Sequence, residues 1–351
     1  MCPFIFVLIP LKLFIEAYMN IEILKAKKGV RFVSLANDAG MEIVLCSFGA
    51  SIYSLKMDLE QMVVTPKEFP TFFQSGKYYG MTIGRIAGRI PNGILKVNDK
   101  EYHLEQNEGL NCLHGGFHSI SRKNWGLQIQ TTKNYALISF YLTTKKGEAG
   151  FNGKADYVVT YRVYNNENIF EINYEAKCKE DTYFALTNHS YFNLGNDKNI
   201  LNHKLRIKAN EVSTFNFEDF TINGYKPVAG TIFDFREGKV LRKDIENIEL
   251  HNVKWLNGYD HRFHLYPVEN AEANISLQNG NYYLNIYTDF DAVHLYTGGF
   301  TEHDLLLDDD YDDIYKGMAL ECSNLSPEFV KKGEIYQHRI KYQFRRKTDE
   351  I

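Results

Sequence analysis

From Asn20 onward, apolar and polar positions alternate along most of the chain. In Asn168–Lys177, Phe170, Ile172, Tyr174 and Ala176 alternate with Glu171, Asn173, Glu175 and Lys177. That period of two predicts a strand with one buried and one wet face. Ala155–Tyr164 (ADYVVTYRVY) is β-branched and aromatic throughout and reads as a strand more buried than its neighbour. The polar Asn165–Asn166–Glu167 between them makes the two a hairpin. A second hairpin is predicted from Leu95 and Val97 through Asn98–Asp99 to Tyr102 and Leu104. A third runs from Ile275 and Leu277 through Asn279–Gly280 to Tyr283 and Ile286. No helix-length window carries a capped apolar stripe at helical spacing. Turn signals recur at short intervals with no composition shift, linker or internal repeat. The pattern predicts an all-β protein: one large antiparallel β-sandwich over residues 20–351.

Residues 1–19 are treated apart, as an N-terminal extension. MCPFIFVLIPLKLFI is apolar, but it is short for a spanning helix and Pro3 and Pro10 interrupt it. It lacks the basic start and small-residue cleavage site of a signal peptide. An upstream extension or misplaced start is the expectation, with an uncleaved anchor as the alternative.

Composition adds to this picture. Tyr 24 and Phe 24 against Trp 2 and Pro 8 is a β-rich aromatic balance. With 44% hydrophobic and 24% charged residues, the chain has ample core, which excludes disorder and fibrous classes. A formal charge of −4 gives no basic footprint for nucleic acid and no charged tail for a membrane surface. Cys2, Cys46, Cys112, Cys178 and Cys322 are scattered and odd in number, which fits reduced thiols in a cytoplasmic protein.

Several apparent motifs fail on inspection. GEAGFNGKA (147–155) has one residue too many for a phosphate loop and Ala155 in place of the hydroxyl residue. DLLLDDDYDDIY (304–315) has Asp313 where a calcium loop needs Gly and Ala319 where it needs Glu, so a solvated acidic loop is expected. His114 and His118 are four apart, but Gly115–Gly116 between them argue against the helix that a metal pair would need.

Five segments set ionisable groups among glycines and aromatics beside strand-like stretches: GRIAGRI (84–90), LHGGF (113–117), TNHSYFNLG (187–195), NGYDHRF (257–263) and ALEC (319–322). They offer Arg89, His114, His189, Asp260 and Glu321 as candidates. In order and wording these segments resemble the aldose 1-epimerases, or galactose mutarotases, from about Asn20 to Phe344. NDAGMEIVLCSFGASIYSLKM (37–57), ILKVNDKEYHLEQNEGLNCLHGG (94–116), Trp125 and YTGGF (296–300) add to the likeness.

The resemblance implies the galactose mutarotase-like supersandwich and an isomerase that interconverts the α and β anomers of free hexoses such as galactose and glucose. Opening the sugar ring needs a base for the C1 hydroxyl proton and an acid for the ring oxygen. The resemblance assigns Glu321 as base and His189 as acid, with Arg89, His114 and Asp260 binding the sugar. Ordinary side-chain values of about 4.3 and 6.5 would let a carboxylate and an imidazolium coexist near neutral pH. No metal or organic cofactor is implied. The only partner implied is the small-molecule aldose, and the chain is expected to be a monomer or weak homodimer.

Four positions depart from the family pattern: Gly88 for Asn, His294 for Gln, Gly299 for Asn and Ser323 for Gln. They leave hydroxyl preference open. Two other readings also stay open: a hexose-6-phosphate 1-epimerase, for which Arg85 and Lys123 are available cations, and a non-catalytic sugar-binding or regulatory relative.

Overall fold

The computed structural model describes residues 9–10, 19–25, 29–216, 218–245, 257–268, 272–300 and 302–347. Its three large sheets are antiparallel. The broadest has nine strands in the order Gly126–Thr131, Tyr135–Thr144, Ala155–Tyr164, Ile169–Cys178, Ile335–Arg346, Tyr282–Thr288, Ile275–Asn279, Lys204–Ile207 and Lys239–Val240. A seven-stranded sheet runs Ile222–Pro227, Ala209–Phe215, Asp260–Leu265, Ala292–Tyr296, Met318–Ser323, Tyr191–Phe192 and Val63–Val64. Residues from Asn20 to Gln61 supply most of a six-stranded sheet, whose outermost pair joins Ile9–Pro10 to Leu24–Lys25. Among the described residues the helices are short, Phe69–Gln74 and Arg242–Ile245, and none is long and apolar enough to cross a membrane.

The nine- and seven-stranded sheets enclose one apolar core. Tyr161, Ile172, Tyr174, Ile340 and Tyr342 come from one, and Phe263, Val293, Leu295, Leu320 and Cys322 from the other. Burying such side chains contributes about 1.5–3 kcal/mol each. The three predicted hairpins all form, closing at Val97↔Lys100, Asn279↔Tyr282 and Val163↔Phe170. Asn98 and Gly280 take the left-handed backbone that such tight turns demand.

Two expectations are corrected here. Ala155–Tyr164 is not the more buried of its pair: it alternates strictly, while its partner strand Ile169–Cys178 buries Glu171 as well as its apolar set. β-branched and aromatic residues suit the outer face of a pleated sheet as well as the inner. Glu171 leaves the wet face because Arg162 (3.4 Å) and the Tyr164 hydroxyl (3.3 Å) close over it. The acidic run is also not wholly solvated. Asp308 and Asp310 pair with the buried Lys316 at 3.1 and 2.9 Å, and the buried Asp312 pairs with Lys77.

Candidate active site

Strand parity builds the site. In Met318–Ser323 the side chains of Met318, Leu320 and Cys322 enter the core, so Glu321 and Ser323 leave the opposite face and line a cavity. In Ala292–Tyr296, Val293 and Leu295 enter the core while His294 and Tyr296 line the cavity. In Asp260–Leu265, Phe263 and Leu265 are core and Asp260 and Arg262 line it. Register then aligns the three strands: Arg262 is opposite His294, and His294 is opposite Glu321. Tyr191, paired with Ala319, carries His189 to the same side.

The facing wall is made of loop. Gly84–Arg89 and Leu113–Gly116 cross so closely that a Cβ on Gly115 would meet the Gly84 carbonyl oxygen at 2.3 Å. His114 itself adopts φ +53°, a strained conformation for a residue of its size, and its Nδ1 accepts the Gly88 N–H at 3.2 Å. Tyr78, Phe215 and Phe220 add aromatic surface. The cavity holds about 620 Å³, within the usual range for a small-molecule site. A larger cleft of about 1000 Å³, bordered by Thr231, Asp234, Arg236 and Tyr266, carries none of the five candidates.

All five sequence candidates line the one cavity. His189 Nε2 lies 3.5 Å from Glu321 Oε1, both side chains nearly excluded from solvent. His114 and His189 rings meet edge to face at 5.4 Å. Ligating atoms of His114, His189 and Glu321 fall within 4.8 Å of one another, a spacing that a cation could bridge. However, the Gly88 N–H requires a bare Nδ1 on His114, so the neutral ring carries its proton on Nε2. The cavity therefore receives a hydrogen-bond donor there, which suits an oxygen acceptor better than a metal.

Proton placement differs from the sequence expectation. Burial raises the Glu321 carboxyl to about 7, with Asp260 adding to the rise and His294, Arg262 and Arg89 opposing it. Burial lowers the His189 imidazole to about 4. The order of the two groups is thus inverted from the ordinary one, because both lose water and each disfavours its charged form. Between these values one proton serves the pair, and the carboxylate–imidazolium arrangement is one of two ways to hold it. His114 is held well below the usual imidazole range by burial, with the His189, Arg89 and His294 charges in the same direction.

Arg89 is clamped by Glu108, Nε and Nη2 reaching its carboxylate at 2.6 and 2.8 Å, and stands 4.0 Å from Asp260. Burial opposes its charge, but Asp260 and Glu108 outweigh that and raise its pKa. Asp260 accepts from His294 Nε2 at 2.5 Å. Although burial would raise it, the His294 hydrogen bond and the His294 and Arg89 charges hold Asp260 well below the usual carboxylate range. Sequence reasoning had marked His294 only as a departure. Its role as the Asp260 partner, and that of Glu108 as the Arg89 clamp, come from pairing register and loop geometry.

Other candidates lie elsewhere. Arg85 is buried against the Asn152 and Gly153 carbonyls and the Tyr157 hydroxyl, and Lys123 pairs with Glu148. Neither lines the cavity, so the two cations considered for a phosphate are committed to the scaffold. His118 is exposed and bonded to Glu105 at 2.6 Å. Gly299 also lies outside the lining: a Cβ there would meet the Asn257 carbonyl oxygen at 2.1 Å, so its lack of a side chain serves backbone packing.

Comparison with known proteins agrees on one kinship. The aldose 1-epimerase family profile matches residues 31–343. The chain is 30% identical over 335 residues to the aldose 1-epimerase of Escherichia coli K12, covering 90% of this chain and 95% of that one. It is 30% identical over 325 residues to human galactose mutarotase, covering 87% and 91%. Among solved structures, a galactose 1-epimerase from Lactobacillus acidophilus superposes with a TM-score of 0.84 at 24% identity, covering 94% and 99%. An aldose epimerase homologue from C. elegans does so with 0.80 at 25% identity, covering 90% and 98%.

Proposed function

The chain belongs to the aldose 1-epimerase family, and on that premise we propose that Glu321 and His189 are the proton-transfer pair with which it interconverts the α and β anomers of an aldose. Glu321, as carboxylate, takes the C1 hydroxyl proton while the C1–O5 bond breaks, and the His189 imidazolium protonates O5. The open-chain aldehyde rotates about C1–C2. In closure O5 attacks C1, His189 recovers its proton from O5, and Glu321 returns its proton to the C1 oxygen. The pair ends as it began, so no resetting step separates turnovers. The observation carrying this reading is the buried 3.5 Å contact between His189 and Glu321, whose carboxyl is raised to about 7 and whose imidazole is lowered to about 4. A carboxyl raised toward neutral pH is suited to general acid–base work, and strongly perturbed values cluster at functional sites.

Arg89 and Asp260 orient the sugar, and the Nε2–H of His114 donates near the reacting centre. Galactose and glucose are the proposed substrates. Four of the cysteines are free and buried, which supports a cytoplasmic setting. The chain is proposed to act as a monomer or weak homodimer, and light scattering on the purified protein checks this.

Polarimetry tests the function. Catalytic amounts of protein should hasten the approach of α-D-galactose and α-D-glucose solutions to their unchanged equilibrium rotations. Glu321→Gln and His189→Asn should each lower kcat by about 10²–10⁴-fold. A Glu321→Gln protein with the wild-type rate would refute the assignment of the base.

A further inference from the structure

Three arginines lie on or near the loop wall and the cavity sheet, and they differ in what already holds them. The Arg85 guanidinium is enclosed by protein acceptors. The Arg89 guanidinium is taken by Glu108 in a bidentate pair. Arg262 differs from both. Its Nη1 donates to the Leu325 carbonyl at 3.1 Å, and its Nε is buried with no acceptor. Among the described residues no carboxylate pairs with it within 4.0 Å. A guanidinium offers five donors; beyond the Leu325 carbonyl and the neighbouring Tyr225 hydroxyl, donors of its two Nη atoms remain at the wall of the substrate cavity.

Gly88 is what lets it stand there. A Cβ at position 88 would come 2.9 Å from Arg262 Nη2, so any side chain at 88 would displace the guanidinium. The loop bearing Gly88 and the strand bearing Arg262 therefore form one complementary unit: a missing side chain on one wall and a long cation on the other. Register puts the Arg262 row directly beside the reacting pair, opposite His294 and one strand further from Glu321.

Resting on the epimerase reading, we propose that Arg262 is a specificity-determining residue that donates hydrogen bonds to a sugar hydroxyl, from the space that Gly88 leaves open. The class of ligand is a neutral aldose presenting a hydroxyl oxygen to this corner. An anionic substituent is less suited, because Glu108, Asp260, Glu302 and Glu321 all border the same cavity. The cation has a second effect, since it opposes the burial-driven rise of Glu321. The other charged or titratable groups facing Glu321 are Asp260, His294, His189, Arg89 and Tyr191, and the variants below leave them unchanged.

The test is a double-mutant cycle read by galactose mutarotation in the full chain. Arg262→Gln should raise KM for galactose about tenfold, the loss expected for a hydrogen bond from a charged donor. It should also move the alkaline limb of kcat/KM upward, since Glu321 loses a neighbouring positive charge. Gly88→Asn keeps Arg262 but fills its space. Asn tolerates the φ of +85° there, and this variant should raise KM by a similar factor. Combined, the two should cost no more than the worse single change. An Arg262→Gln protein with wild-type KM and an unmoved limb overturns the proposal, as does a lowered melting temperature without either change. Additive losses in the cycle overturn the dependence on Gly88. Should Arg262→Gln fail to fold, Gly88→Asn decides: an unchanged KM refutes the proposal. Absence of mutarotation by the wild-type protein is a different result, which removes the epimerase reading itself.

Discussion

Leu320 and Glu321 are neighbours in one strand and serve opposite sides of it. Leu320, with Val293 and Phe263 on the adjoining strands, closes an apolar core. Glu321, with His294 and Arg262 at the same registers, faces a cavity of ionisable groups. The core face gains from excluding water. The cavity face uses the same exclusion to raise the Glu321 carboxyl to about 7 and lower the His189 imidazole to about 4. One sheet thus packs a core with one face and gathers ionisable groups on the other, and changes on the two sides should fail in different ways.

The sharpest contrast comes from Glu321→Gln, which should lose the rate given above while melting no lower than wild type at pH 8. At that pH the change removes a buried charge, so a lowered melting temperature would show that Glu321 is structural. Leu320→Ala should do the reverse. A cavity in the core costs about 2–5 kcal/mol, read by chemical denaturation, while kcat/KM per folded molecule stays near wild type. A large fall in kcat/KM without loss of stability would merge the two faces. Next in size is His294→Ala, which frees Asp260 from its 2.5 Å hydrogen bond and should raise KM for galactose by about tenfold.

The mildest effect is on stability in acid. Folded-state values lie at about 4 for His189 and His203 and about 3 for His261, all lowered by burial. The unfolded chain binds these protons near the ordinary value of about 6.5. The folded state is therefore fully favoured above that pH and loses ground as pH falls toward 4. Glu321, whose carboxyl is raised, acts oppositely and withdraws stability as pH rises through about 7. Melting temperature should fall steadily from pH 6.5 to 4, and a flat profile would mean these imidazoles are charged in the folded protein.

Much of this was legible in the chain. Alternation gave the hairpins, since a period of two has one meaning in a pleated strand. The five segments carrying Arg89, His114, His189, Asp260 and Glu321 converge on one cavity. A signal for Arg262 was present too. In DHRFHL, Asp260 and Arg262 share parity, so a cavity role for one implies the other faces it. What the sequence could not supply was burial by distant segments. The inverted order of Glu321 and His189 arises from water lost when two walls meet, and the burial of Glu171 arises from Arg162 and Tyr164 on the adjoining strand.

The central claim is that Glu321 and His189 share one proton in the working enzyme. The pH dependence of kcat/KM for galactose, which reports the free enzyme, tests it most directly. A bell is expected, rising through about 4 and falling through about 7 as the pair first becomes singly protonated and then loses its proton. A rate that instead climbs through pH 7 and holds at alkaline pH would mean that Glu321 works beside a neutral imidazole, and would contradict it.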